Sequence, residues 1–370
     1  MKTSILQENL HKGASRASRI VSTKPQVPVL SNLLLLATEG GFQIVSSSLE
    51  TTEKTTMSAK VDKVGGVCVP ARVFTELISS LPQDTVFLEE KGGSLSVSCG
   101  SVKATVAGID KREFPPVLVI SGKPTTTVER EVLAKALSLV LFAAATDEGR
   151  PLLTGVKLTQ KKEKTILAAT DGYRLSVYNL SLGFADKTEA VIPARALVEL
   201  VRVCQEEKET KEIEFFPVVD GQLSIRIGET EIITRQVEGQ YPNYEKIVPA
   251  GHTTSATLDT QELLRAVRSA SIFARDSANV VRFHVNKKTV TVSANTPQVG
   301  EGAVEIDAKI VGEEGGDIAF NSRFLVDLLS VFPGEEVVLE MTGSLNPGVF
   351  RSPTDPAFLH IIMPVRVALE

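Results

Sequence analysis

The sequence predicts an α+β protein of three repeated domains, each with antiparallel sheets covering one side and two helices covering the other. Three observations predict it. The first is a block that occurs three times, an extended apolar stretch running into a short amphipathic helix: Val67-Cys-Val-Pro-Ala-Arg72, Ala190-Val-Ile-Pro-Ala-Arg195 and Ile318-Ala-Phe-Asn-Ser-Arg323. Its arginines lie 123 and 128 residues apart. The second is an alternating strand ending in a polar turn, at Ile44 to Glu50, Leu167 to Gly172 and Val292 to Pro297. The third is an aromatic-proline pair, Phe114-Pro115 and Tyr241-Pro242, which closes the first two repeats. The period is far longer than the ~20–50 residues of a solenoid repeat, so each copy is expected to carry its own core. The expected domains are 1–118, 119–250 and 251–370.

Within a repeat the order is helix, paired strands, the short Pro-Ala-Arg helix, and further strands. Turn signals at Glu39-Gly-Gly41, Lys91-Gly-Gly93 and Asp220-Gly221 separate the strands. At 100° per residue, Leu6, Leu10, Ala14, Ala17 and Val21 fall in one sector of the first helix, while Lys12, Arg16 and Arg19 fall nearly opposite. The corresponding helix of the third repeat places Leu263, Val267, Ala270 and Ala274 on one stripe and Arg265, Arg268 and Arg275 away from it. In the second repeat only Lys135 is basic among the outward positions.

Composition fits a soluble multidomain chain, with 370 residues, 42% hydrophobic, 23% charged and a net charge of −5. No apolar run approaches the ~20 residues that span a bilayer, and nothing at the start has the form of a secretory signal, so a cytosolic location is expected. Cys68, Cys99 and Cys204 are odd in number and set in apolar stretches, which favours buried structural thiols over metal ligands or disulfides. The adjacent carboxylates Glu89-Glu90, Glu206-Glu207, Glu313-Glu314 and Glu335-Glu336 do not face each other on a helix or a strand, and solvated turns explain them better than acid-base pairs. His11, His252, His284 and His360 have no metal-ligand spacing, no nucleophile motif or phosphate loop is present, and Asp171-Gly172 fits a tight turn. Neither catalysis nor a cofactor is expected. Cationic stripes on corresponding helices of an acidic protein instead suggest a polyanion held on one surface.

Taken together, Pro28-Val-Leu-Ser-Asn-Leu-Leu-Leu35, Thr170-Asp-Gly-Tyr-Arg-Leu175, Tyr241-Pro-Asn-Tyr-Glu-Lys-Ile-Val-Pro249 and Ile361-Ile-Met-Pro-Val-Arg-Val367 resemble the bacterial DNA polymerase III β subunit, the sliding clamp, along the whole chain. The resemblance implies a head-to-tail homodimer closing a ring, with helices lining the hole, sheets outside and duplex DNA threaded through. It also implies a replicative polymerase tethered for processivity, a clamp loader that opens the ring, other replication and repair proteins as partners, and a nucleoid-associated cytoplasmic location.

Candidates for the DNA-facing surface are Lys12, Arg16, Arg19, Lys24, Arg72, Lys135, Arg195, Arg202, Arg265, Arg268 and Arg275. By the resemblance, a partner-peptide pocket would use Leu153, Thr170, Gly172, Tyr173, Arg174 and Leu175, then Pro242, Lys246, Ile247, Phe324 and Ser344, and last Ile361, Ile362, Met363, Pro364, Val365 and Arg366. Tyr173 stands where the family often has histidine, and the chain runs on past Arg366 to Glu370 where many members stop sooner. The resemblance also implies that Ala104 and Val106 meet Ile272 and Phe273 of a second copy. The alternatives are a non-ring scaffold and a sequence-specific DNA reader. A specific reader would present Asn, Gln and Arg to base edges, whereas the predicted outer faces here carry Lys, Arg and Ser, suited to phosphate.

Overall fold

The computed structural model describes the chain apart from residues 23, 24, 26, 121, 162–163, 183–188, 276–277, 313–315 and 367–370. Lys24, the Glu313-Glu314 pair and the tail from Val367 to Glu370 lie outside the described residues. Six α-helices are present among those described: α1 (Gln7–Ser18), α2 (Ala71–Ser80), α3 (Arg130–Leu141), α4 (Ala194–Glu206), α5 (Thr260–Ala274) and α6 (Ser322–Val331). Helices α2, α4 and α6 each begin just after the proline or asparagine of the repeated block. Proline fixes the backbone entering α2, with φ −54° at Pro70, and the Asn321 carboxamide oxygen accepts the Arg323 N–H at 2.9 Å to cap α6.

The apolar stripes fall where helical periodicity puts them. Leu10, Ala14 and Ala17 of α1 and Leu263, Val267, Ala270 and Ala274 of α5 are buried. Burying one such leucine contributes ~1.5–3 kcal/mol. Leu6 departs from the expectation. It ends the strand Lys2–Leu6 and precedes α1, so strand alternation turns its side chain to solvent.

The chain forms two compact units, one of residues 1–134 with 195–236 and one of residues 135–194 with 237–370. The first unit holds two antiparallel sheets. One has five strands in the order Lys60–Lys63, Lys2–Leu6, Thr85–Lys91, Ser94–Cys99, Val102–Ala107. The other has nine, and at its middle Thr51–Met57 of the first repeat pairs with Thr230–Arg235 of the second, in the register Ile232↔Glu53.

The second unit also holds a nine-stranded sheet, joined at its middle by Arg174–Leu180 and Phe358–Ile362, and a four-stranded sheet in the order Gly300–Asp307, Thr289–Thr296, Val280–Val285, Gly316–Asn321. The units thus differ from the repeats, because sheet hydrogen bonding crosses each repeat junction and divides the second repeat. Cys68, Cys99 and Cys204 are free and buried, and burial pushes the Cys68 and Cys204 thiols up to about 11. Among the described residues no helix is long and apolar enough to cross a membrane.

Candidate functional site

The expected cations separate into two groups. Arg72, Lys135, Arg195, Arg202, Arg265, Arg268 and Arg275 are exposed, as is much of Lys12. Their contacts are of the weak surface kind: Arg72 with Glu76 one helical turn away, Lys135 with Asp355 at 2.6 Å, Arg202 with Glu199 at 3.6 Å and Arg265 with Glu262 at 3.8 Å. The Glu76 hydrogen bond raises Arg72's already high pKa, and the Asp355 hydrogen bond does the same for Lys135, so both stay charged.

Arg16 contradicts the sequence expectation, because its side chain is 1% exposed and cannot belong to an open cationic face. Its Nε donates to Glu206 at 2.9 Å, one terminal nitrogen donates to Thr230 Oγ1 at 2.5 Å, and the other donates to Glu207 at 2.9 Å. Arg19 is partly covered in the same way, gripping Glu199 through Nε at 2.8 Å and Glu206 at 2.8 Å. Glu206-Glu207 is accordingly no solvated turn. Burial works to raise both carboxyls, but hydrogen bonds from Arg19 and Arg16 to Glu206, and from Lys12 and Arg16 to Glu207, outweigh it and hold both below the usual range. Of the other pairs, Glu89 reaches Lys91 at 2.9 Å and Glu90 the N-terminal ammonium at 3.4 Å.

The residues expected to form a partner site lie in the second unit, and strand pairing gathers them. Between the strands Lys164–Thr170 and Arg174–Leu180, the Asp171 carboxylate accepts the Tyr173 and Arg174 N–H groups at 2.9 and 3.0 Å, while Gly172 takes φ +94°. That is the expected tight turn. Arg174 and Leu175 pair with Ile362 and Ile361, and the Met363 N–H donates to the Tyr173 carbonyl at 2.8 Å. The Tyr241 hydroxyl accepts the Thr170 N–H at 3.2 Å, and burial raises this phenol well above its ordinary range.

These contacts divide the expected pocket into floor and rim. Leu153, Thr170, Leu175, Ile361 and Ile362 are buried, and Leu175 and Ile361 share a core with Val177, Tyr241 and Tyr244. They form a buried floor: Leu175, Ile361 and Ile362 lie on paired strands, and Leu153 on the short helical turn Pro151–Thr154. Tyr173, Pro242, Lys246, Ile247, Met363 and Arg366 are exposed above, with Pro364 and Val365 half-buried. Ser344 is exposed on the turn after the strand Glu336–Met341.

Arg174 is held rigidly: Nε donates to Asp171 at 3.0 Å, a terminal nitrogen donates to Asp327 at 2.7 Å, and the guanidinium lies 4.6 Å from the Phe324 ring centre. Sequence reasoning missed Asp327 and Phe142, whose ring lies 5.5 Å from the same guanidinium. Asp171 was read as part of a tight turn, and its spacing of three from Arg174 could have signalled the pair, but nothing local marks Asp327. Beneath, Ser176 hydrogen-bonds His360 Nδ1 at 2.6 Å across the strand pair, and burial holds that imidazole neutral.

The strand that holds Ala104 and Val106 is a sheet edge, and a second edge, not foreseen from the sequence, lies beside Phe273. Val102–Ala107 closes the five-stranded sheet and Gly300–Asp307 the four-stranded one. Their outward residues are complementary, Lys103 on the first and Glu301, Glu305 and Asp307 on the second. Val106 is 5% exposed and already packed in its own core, so it offers a second copy backbone and not a side chain; Ala104 is half-buried. Ile272 is 52% exposed although it lies on α5, and Phe273 covers Gly302 so closely that an added Cβ would fall 2.5 Å from its ring.

Comparison with known proteins follows the same division into three. The DNA polymerase III beta subunit family matches by its N-terminal domain at residues 1–119, its central domain at 127–243 and its C-terminal domain at 245–366. The beta sliding clamp of Synechococcus elongatus is 28% identical over 99% of this chain and all of its own. The crystal structure of the Bacillus subtilis DNA polymerase sliding clamp superposes with TM-score 0.92 at 24% identity, covering 100% of both chains. That of the Streptococcus pneumoniae DNA polymerase III beta chain gives 0.91 at 27%, covering 99% of this chain and 100% of its own.

Proposed function

The chain belongs to the DNA polymerase III β subunit family, a family of DNA sliding clamps and not of enzymes, and from that membership we propose that it works as a head-to-tail homodimeric ring around duplex DNA. Two free sheet edges of opposite charge carry this reading. An unpaired edge is a template for another strand, and pairing Val102–Ala107 of one copy with Gly300–Asp307 of the next closes when two copies do it reciprocally. Ile272 and Phe273 flank that contact, and the domains are 1–118, 119–250 and 251–370.

DNA is held loosely by Lys12, Arg72, Lys135, Arg195, Arg202, Arg265, Arg268 and Arg275, with Arg19 contributing its exposed side. Arg16 has no part in it. Phosphate contacts of this kind weaken steeply with salt, whereas a threaded ring does not leave by that route. The ring stays on closed circular DNA after a high-salt wash and is lost when the circle is cut; loss from both forms at equal rate contradicts enclosure.

The floor and rim around Tyr173, Ile247 and Met363 receive a peptide of the replicative polymerase, the clamp loader or another clamp partner, in the cytoplasm at the nucleoid. Met363 adapts to varied apolar anchors, and Gly172 permits close backbone approach. Removing Met363 to Glu370 abolishes binding of a polymerase-derived peptide while sedimentation still gives a dimer. Unchanged peptide affinity places the site elsewhere.

A further inference from the structure

Beneath α1 lies a carboxyl group that none of the functions above uses. Glu53, in the middle of the strand Thr51–Met57, is 0% exposed, and neither carboxyl oxygen has a hydrogen-bond partner among the described residues. Alternation along the strand puts Glu53 in one row with Thr51 and Thr55, whose hydroxyls meet Thr234 and Thr230 of the adjoining strand at 3.1 and 3.2 Å. Glu53 therefore sits where the strands of the first and second repeats join, under α1.

The groups facing it explain why it is left alone. From α1 and the residue that follows it come Arg16 and Arg19, and from α4 Glu199 and Glu206. Every guanidinium nitrogen of Arg16 is engaged by Glu206, Thr230 or Glu207, and every one of Arg19 by Glu199 or Glu206. Both guanidinium groups are thus turned to these partners, and among the described residues neither donates to Glu53. Lys12 is paired with Glu207, and Arg202 reaches Glu199 from the exposed side. On the other face of the strand, Lys54 is paired with Glu231. On the neighbouring strand the residue opposite Glu53 is Ser46, whose buried hydroxyl also lacks a partner.

An ionised carboxylate stripped of water and of donors is too costly to keep, whereas a neutral carboxyl can both donate to and accept from a hydroxyl such as Ser46. We propose that Glu53 is a proton-binding site: it holds a proton while α1 and α4 are seated on the sheet, and loss of that proton loosens this junction of the two repeats. Burial, reinforced by the charge of Glu199, raises this carboxyl to about 8, with Arg16 and Arg19 opposing. A folded value above the free value of 4.5 means that the closed junction binds the proton more tightly than the open one. Stability at the junction is thus fully present below about 4.5, falls as pH rises toward about 8, and is level above that.

Amide hydrogen exchange on the full-length protein tests this, with rates corrected for intrinsic exchange. In the wild type, protection of Thr51–Met57 and Thr230–Arg235 should fall by about tenfold per pH unit between pH 5 and 8 and then level off, while Glu53→Gln keeps it constant. Parallel profiles in the two proteins overturn the proposal. Should Glu53→Gln fail to fold, infrared spectroscopy of the wild type decides. The C=O stretch of a protonated carboxyl at neutral pH, lost as the solution is made alkaline, supports the site, and its absence at neutral pH removes it.

Discussion

Helices α1 and α5 occupy equivalent places in the first and third repeats and carry the same pattern, an apolar stripe opposed by three cations. The structure uses the two patterns differently. On α5 the cations remain in solvent: among the described residues Arg268 hydrogen-bonds only Ser330, at 3.5 Å, and Arg265 is 69% exposed. On α1, Arg16 is consumed by Glu206 and Glu207 of the second repeat, and Arg19 just after it is partly covered by Glu199 and Glu206. Periodicity tells which way a side chain points and not what stands opposite. A cationic stripe on a helix can serve a polyanion or lock two repeats together, and the carboxylates that decide between these lie 180 to 191 residues away in the chain.

The largest consequence is energetic. Removing Arg16 takes one of two cationic partners from each of Glu206 and Glu207, which keep Arg19 and Lys12, so the cost stays below the ~3–5 kcal/mol of leaving a buried charge wholly unpaired. Arg16→Ala should still lower the urea midpoint, whereas Arg265→Ala, which loses only an exposed contact, should change stability by less than ~0.5 kcal/mol. Equal effects of the two substitutions would erase the distinction between the helices.

Much of this was legible in the sequence. The repeated block located the starts of α2, α4 and α6, because proline or asparagine before an apolar-periodic run is a local signal. The turn at Asp171-Gly172 was legible for the same reason. The merging of repeats into shared sheets was not, since the pairing Ile232↔Glu53 joins residues far apart in sequence and nothing local marks the partner. The burial of Arg16 was hidden for that reason too: Glu206-Glu207 has the local look of a solvated turn, and its true partners sit on α1. In the partner site, strand pairing buries Leu175 and Ile362, which the resemblance had named among the pocket residues without telling floor from rim.

A smaller difference between the helices lies at their starts. Asp259 caps α5, its carboxylate accepting the Glu262 N–H at 2.7 Å, while Leu6 before α1 offers no side-chain cap. Asp259→Ala should cost ~1 kcal/mol in thermal unfolding, and Leu6→Ala should lose no cap. A null result for Asp259 would mean that packing, and not capping, sets the start of α5.

The division of labour between the two helices is tested most directly by the salt dependence of DNA association. If Arg265 and Arg268 each contact a phosphate, the Arg265→Gln/Arg268→Gln protein should show a slope of log K against log salt that is less steep by ~1.8, with stability unchanged. Arg16→Gln, assayed where it remains folded, should keep the wild-type slope. An unchanged slope in the double variant, or a reduced one in Arg16→Gln, would contradict the assignment of DNA contact to Arg265 and Arg268 and of structural locking to Arg16.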